Sequence, residues 1–275
     1  MEWIILVVIG LIASSLGSLI GLGGGIIIVP SLLYLSTLSA FGHITPQVAV
    51  GTSLFTMIFT GLSSTLAYMK HKTVDYKSGL IFLIGSGPGS ILGAWVTEGL
   101  HMKTFNIFFG LFIIFISIIL LLKDRLKPIP YRKDRGIIRT FIDNAGKTFE
   151  YGYNPIIGVL IAFVVGFLSG VFGVGGGSLM VPTMILVFFF PPHVATATSM
   201  FMILPTSLLS SITHITLGNV DWLYALALVP GAWIGAMVGV FLNTKLKSKT
   251  IVLMLRTILV IVGIRLIYQG IFGQV

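Results

Sequence analysis

Gly21-Leu22-Gly23-Gly24-Gly25-Ile26-Ile27-Ile28-Val29-Pro30 decides how this chain is read, because it occurs twice. The second copy is Gly173-Val174-Gly175-Gly176-Gly177-Ser178-Leu179-Met180-Val181-Pro182, 152 residues later at every matched position. Both copies sit in strongly apolar surroundings. A proline inside a helix removes one donor and crowds the preceding turn, whereas the first helical position accepts it. The residue before it prefers extended backbone. The expectation is therefore unwound backbone from Gly23 to Val29 with a half-helix starting near Pro30, and the same from Gly175 to Val181 with a start at Pro182. Interrupted backbone at membrane depth is tolerated only inside protein or beside a water-filled cavity. Interruptions at matching places in two halves point to a transport site.

The repeat extends beyond the glycines. Ala49-Val50-Gly51-Thr52-Ser53-Leu54-Phe55 matches Ala195-Thr196-Ala197-Thr198-Ser199-Met200-Phe201 at an offset of 146, as does Val74-Asp75-Tyr76 with Val220-Asp221-Trp222. Pro88-Gly89 and Gly93-Ala94 match Pro230-Gly231 and Gly235-Ala236 at an offset of 142. Half one reads as spans 3–20, a broken 21–41, 47–69, 79–97 and 104–122. Half two reads as 155–171, a broken 172–191, 194–217, 222–242 and 250–270. The division is 1–122, a basic linker at 123–154, and 155–275. Ile138 to Tyr153 alternates in part around Asp143-Asn144-Ala145-Gly146, which reads as a small β-hairpin.

Composition agrees with this reading. Hydrophobic residues make up 56% and charged residues 9% of 275, with mean hydropathy +1.05, too little polar surface for a soluble fold. Repeated apolar stretches long enough for ~30 Å of hydrocarbon make a polytopic membrane protein. The absence of Cys excludes disulfides, thiol nucleophiles and thiolate metal sites. Met1-Glu2-Trp3 carries no basic segment, so no cleaved signal peptide is expected. The net charge of +9 does not imply nucleic acid, since eight of the 17 Lys/Arg lie between Lys123 and Lys147 beside Asp124, Asp134 and Asp143. That is the pattern of a solvated cytoplasmic loop.

The positive charges set the sidedness. Lys70, Lys72 and Lys77, the linker, and Lys245, Lys247 and Lys249 all fall on the cytoplasmic side, which accounts for 14 of 17. The segment 155–191 must then leave that side and return to it, bent at Gly173–Gly177, and 3–41 must do the same from outside. Five elements per half is odd, so the halves are inverted. The expected fold is an all-α polytopic membrane protein of two inverted repeats, each with a Gly-broken hairpin, and 8 to 10 transmembrane helices. Its expected place is the plasma membrane.

Free N–H groups and the positive start of a helix suit an anion, so Gly23, Gly24, Gly25, Gly175, Gly176 and Gly177 are candidate substrate contacts. The competing reading is close helix packing through small residues. A nucleotide phosphate loop is disfavoured, because no Lys-Ser/Thr follows the glycines. The hydroxyls of Thr52, Ser53, Thr198 and Ser199 are candidates to bond a substrate oxyanion, or else to bond back to helix carbonyls. Gln47 and His193 are matched positions before those pairs and read as gate, ligand or plain loop residues. Arg256 is costly in a membrane and so a candidate, with snorkelling to the cytoplasmic face as the alternative. His71, His101 and His214 are scattered near span ends. No metal site and no cofactor is expected, and no nucleophile–base pair converges, which speaks against an enzyme. Carboxylates are scarce in the spans, which disfavours a cation site.

The combination Gly-x-Gly-Gly-Gly-x4-Pro followed by Ala-x-x-Thr-Ser, in both halves, resembles the TauE/SafE family of sulfite and organosulfonate exporters. The resemblance rests on Gly21 to Pro30 with Ala49 to Ser53, and Gly173 to Pro182 with Ala195 to Ser199. It covers nearly the whole chain. It implies a multi-pass transporter of small sulfur-containing anions, sulfite or short-chain sulfonates, mostly outward. The residues alone supply a membrane transporter with anion-friendly backbone and leave a passive channel or a carboxylate carrier open. The expected partners are a small anion and membrane lipid; the oligomeric state is left open.

Overall fold

The computed structural model describes residues 2–36, 42, 44–122, 136–142, 148–177 and 180–272. Among them the chain forms α1 (Glu2–Ile20), α2 (Gly25–Leu35), α3 (Pro46–Lys70), α4 (Tyr76–Thr97) and α5 (Met102–Leu122). A hairpin of β1 (Ile137–Ile142) and β2 (Thr148–Tyr153) follows. Then come α6 (Pro155–Phe172), α7 (Met180–Leu186), α8 (Pro192–Thr216), α9 (Trp222–Lys245) and α10 (Ser248–Phe272). The expected hairpin is present and antiparallel, with Phe141 opposite Phe149. Its turn at Asp143–Gly146 lies outside the described residues, as does most of the basic linker.

Matched residues start matched helices. Asp75 accepts from Ser78 N at 3.1 Å to begin α4, and Asp221 accepts from Tyr224 N at 3.0 Å to begin α9. Each satisfies a first-turn donor that no helix carbonyl can reach. Thr45 before Pro46 and Asn154 before Pro155 cap α3 and α6 likewise, with proline where a missing N–H costs nothing.

Packing is reciprocal between the halves. α1 lies on α9 and α6 on α4, while α3 meets α8 and α5 meets α10. α3 also touches α9 and α8 touches α4. Small residues set the approach. A Cβ at Gly231, Gly235 or Gly239 would overlap the carbonyls of Val7, Leu11 and Ser15 on α1. One at Gly85, Gly89 or Gly93 would overlap those of Val159, Phe163 and Phe167 on α6. Stripes of small residues let helices close without a hydrophobic driving force.

The surface is apolar and the interior is hydroxylated. Ile84, Trp95, Phe108, Leu160, Leu226 and Phe241 are exposed, whereas Thr52, Ser53, Thr56, Thr60, Ser63 and Ser64 on α3 are buried. That inversion of the soluble pattern suits lipid outside and a polar path within. Among the described residues, six helices, α1, α3, α4, α6, α8 and α9, are long and apolar enough to cross a membrane.

One expectation fails. α2 starts at Gly25, and Pro30 is its sixth residue rather than its first. Gly24, with φ 98°, is the cap, so the break is confined to Gly21–Gly24 and does not reach Val29. The helix tolerates the one bond Pro30 removes because it is buried in the packed centre, where its neighbours hold the segment. In half two α7 is described from Met180, two residues before Pro182.

Candidate functional site

The two glycine segments meet at the centre of the molecule, between α3 and α8. Gly21, Gly23 and Gly24 in one half, and Gly173 and Gly175 in the other, have positive φ. Residues with a Cβ rarely adopt that conformation, and glycine, which has none, lets the chain turn back here. The segments abut: a Cβ at Gly25 would overlap the Gly173 carbonyl.

Hydroxyls tie each segment to the opposite half. Ser53 Oγ donates to the Gly173 carbonyl at 3.0 Å, and Ser199 Oγ donates to the Gly21 carbonyl at 2.7 Å and to Gly177 O at 2.5 Å. The threonines beside them act outward. Thr52 Oγ1 accepts from Asp221 N at 3.0 Å, and Thr198 Oγ1 accepts from Asp75 N at 3.0 Å. All four side chains are fully buried. Each Thr-Ser pair therefore joins the far glycine segment to the capped start of a far helix. In this state the serine donors are taken by protein carbonyls.

Met57 and Ile203, matched at an offset of 146, fill the space between the glycine segments. A Cβ at Gly23 would overlap Met57 Cε and lie 2.9 Å from Ile203 Cδ1; one at Gly175 would lie 2.6 Å from Met57 Cε. Both side chains have no solvent exposure. Gly176 faces Thr206, and Ser207 Oγ is buried beside Gly175 with no hydrogen-bond partner. The centre is thus closed by two apolar side chains over backbone and hydroxyl groups. Sequence reasoning overlooked Met57 and Ile203, although the repeat offset carried the signal.

The other candidates lie away from the centre. Gln47 Nε2 donates to the carbonyls of Thr97 and Leu100, both at 3.0 Å, holding the start of α3 to the α4–α5 connection. His193 Nδ1 is 3.1 Å from Asn243 Oδ1, and Asn243 Nδ2 donates to Leu19 O at 2.6 Å. Arg256 lies in α10, and its side chain is outside what the structure describes. His214 is fully buried and is the counterpart of Tyr68. Tyr68 donates to Ser18 O at 2.7 Å, whereas both ring nitrogens of His214 are buried with no hydrogen-bond partner among the described residues.

The hairpin docks beside the start of α4. Tyr151 donates to Asp75 Oδ2 at 3.1 Å, and Gly152 N donates to Phe188 O at 3.3 Å. Phe82, Phe188 and Phe190 surround Tyr153, with ring centroids 4.6, 5.3 and 6.2 Å away. Burial pushes the Tyr151 hydroxyl well above its ordinary range, and the Asp75 charge adds to this. Burial is also the main reason the Tyr153 hydroxyl is pushed up to about 12.

The paired glycine segments with their Ala-x-x-Thr-Ser partners run through the centre of the chain, and the profile of the sulfite exporter TauE/SafE family matches residues 6–266. The chain belongs to the TauE/SafE family. It is 59% identical over 274 residues to the probable membrane transporter protein YunE of Bacillus subtilis, covering 99% of this chain and 100% of that one. It is 29% identical to a probable membrane transporter protein of Methanocaldococcus jannaschii, over 94% of this chain and 93% of the other. The YjnA probable membrane transporter protein of Bacillus subtilis is 24% identical over 95% and 98%. No solved structure matches. This TauE/SafE protein is therefore a multi-pass membrane protein of a transporter family.

Proposed function

We propose that the protein is a secondary transporter that exports a small sulfur-containing anion, sulfite or a short-chain sulfonate, across the plasma membrane by alternating access. The observation that carries this is the crosswise bonding of the two glycine segments, Ser53 to Gly173 and Ser199 to Gly21. Bonds of this kind exchange when two halves rock about a shared centre, and each exchange frees hydroxyl donors and helix-start N–H groups for an anion.

In this reading residues 1–122 and 155–275 are inverted five-element repeats, joined by a cytoplasmic linker at 123–154. Gly23, Gly24, Gly25, Gly175, Gly176 and Gly177 offer backbone to the substrate. Thr52, Ser53, Thr198 and Ser199 bond it once released from their present partners. Gln47, His193 and Arg256 act near the two mouths. The sulfur assignment comes from the family description, since backbone donors and hydroxyls serve carboxylates equally.

The test is flux of labelled sulfite, a two-carbon sulfonate and acetate in proteoliposomes. Saturable flux of a sulfur anion, accelerated by the same anion on the far side, is the expected result. Flux of acetate alone removes the sulfur assignment. Flux without trans-acceleration is the mark of a passive channel, a reading that the Met57–Ile203 closure makes less favourable.

A further inference from the structure

A cavity of about 620 Å³ lies away from the glycine centre, between the α3–α4 turn, the hairpin, the α7–α8 connection and the end of α9. Its walls have two characters. Lys72 and Lys247 bring ammonium groups and His71 and His193 bring imidazoles, and no Asp or Glu is among the described lining residues. Phe141 and Phe149 of the hairpin, with Pro191, Pro192 and the edge residue Ile142, supply an apolar wall.

The hairpin places that wall by register. Arg139, Phe141, Phe149 and Tyr151 form the cross-strand pairs of one face, since alternate residues share a side. Tyr151 fixes this face to Asp75 on the body of the protein. The Phe141–Phe149 pair, one step further toward the tip, is thereby held over the cavity.

Its floor connects to the centre. Tyr68 and Asn243 line the cavity and are buried. They bond the carbonyls of Ser18 and Leu19, in the last turn of α1, immediately before the first glycine segment. Thr73 Oγ1 is buried, lines the cavity and has no hydrogen-bond partner.

We propose that this cavity is an entry site for an amphiphilic organic anion: a sulfonate or carboxylate head held by Lys72 and Lys247, and a short hydrocarbon tail against the Phe141–Phe149 wall. Its use as the loading site for export rests on the transport reading above. The volume is typical of organic-ligand pockets, and a bare inorganic oxyanion leaves the apolar wall unused. The site thus selects organic anions over sulfite before they reach the glycine centre. Anionic lipid headgroups share this chemistry, and the test separates the two sources.

Binding of sulfite, ethanesulfonate and hexanesulfonate is measured by calorimetry on the full chain in phosphatidylcholine nanodiscs. Affinity is expected to rise along that series, by about tenfold between the two sulfonates, as partial burial of the added methylenes provides. The double variant Lys72→Ala/Lys247→Ala is expected to weaken hexanesulfonate about tenfold or more, the loss of charge-assisted contacts. Phe141→Ser/Phe149→Ser is expected to level the chain-length preference. Lys103→Ala, an exposed change at the start of α5, is expected to leave all three affinities unchanged.

Equal affinities along the series in the unmodified protein, or no change in the double-lysine variant, overturn the proposal. Displacement of hexanesulfonate by phosphatidylglycerol through the same lysines assigns the site to a lipid headgroup and also overturns it. Flux of the same anions is measured in parallel. Chain-length-dependent binding without flux refutes the transport reading and keeps the cavity, whereas flux without such binding refutes the cavity and keeps transport.

Discussion

The Ser53 hydroxyl donates to the Gly173 carbonyl across 3.0 Å, linking residues 120 positions apart through the centre of the molecule. Its counterpart Ser199 reaches the Gly21 carbonyl across 178 positions. A buried neutral hydrogen bond contributes about 1 kcal/mol net. Ser53→Ala and Ser199→Ala are each expected to cost about that much, read as a lowered melting temperature. Each is also expected to change transport by more than the stability loss explains, because in the proposed transport cycle the same hydroxyls bond the substrate. Variants with unchanged flux at equal surface expression would confine these serines to a structural role.

Gly24 has φ 98°, and a Cβ there would lie 2.9 Å from the Ala13 carbonyl oxygen. A side chain with a left-handed backbone costs roughly 1–2 kcal/mol even before the overlap. Gly24→Leu and Gly176→Leu are expected to abolish flux while the protein still inserts. Gly99, with only the Val96 carbonyl at 3.8 Å, is the control: Gly99→Ala is expected to be silent in both readouts. Normal flux in both leucine variants would dismiss the glycine centre as the transport site.

Met57 and Ile203 stand between the glycine segments and are fully buried. Truncating either leaves a void, with a cost of about 2–5 kcal/mol in well-packed cores. Met57→Ala, and more so Met57→Ala/Ile203→Ala, is expected to add a passive anion leak to coupled flux. The check is electrogenic leak in proteoliposomes without a substrate gradient. A double variant as tight as the unmodified protein would remove these residues as the closure.

The hairpin tie has a defined pH response. Tyr151 and Tyr153 both have hydroxyl pKa values raised from 10.0, chiefly by burial. The neutral phenols favour the docked state, so this stabilisation is complete below about pH 10 and is lost as pH rises through the folded values. Hydrogen exchange over Thr148–Tyr153 is expected to be slow at pH 8 and to accelerate in the alkaline range. Tyr151→Phe/Tyr153→Phe is expected to loosen the hairpin at pH 8 and to abolish the alkaline step. An alkaline step that persists in this variant would place its cause elsewhere.

Much of the fold was legible from the residues. The span read at 3–20 is α1 (Glu2–Ile20), and that at 155–171 is α6 (Pro155–Phe172), since hydropathy and the Asn154-Pro155 start are local signals. The hairpin followed from alternation across 138–153. Pro30 misled, because a proline's preference for the first helical position was outweighed by the packing of α2. Thr52, Ser53, Thr198 and Ser199 stood out as hydroxyl pairs, but which atoms they face depends on helices more than a hundred residues away.

By itself the sequence determined the membrane class, the order of the helices, the repeated motifs and the family. These rest on composition, period and turn chemistry, which act over a few residues. Only the tertiary structure decided that each Thr-Ser pair serves the opposite half, and that Met57 and Ile203 close the centre. It also decided that the hairpin hangs its phenylalanines over a lysine-lined cavity. Those relations come from packing between distant segments, where the approach of two backbones selects the partner and no local pattern encodes it.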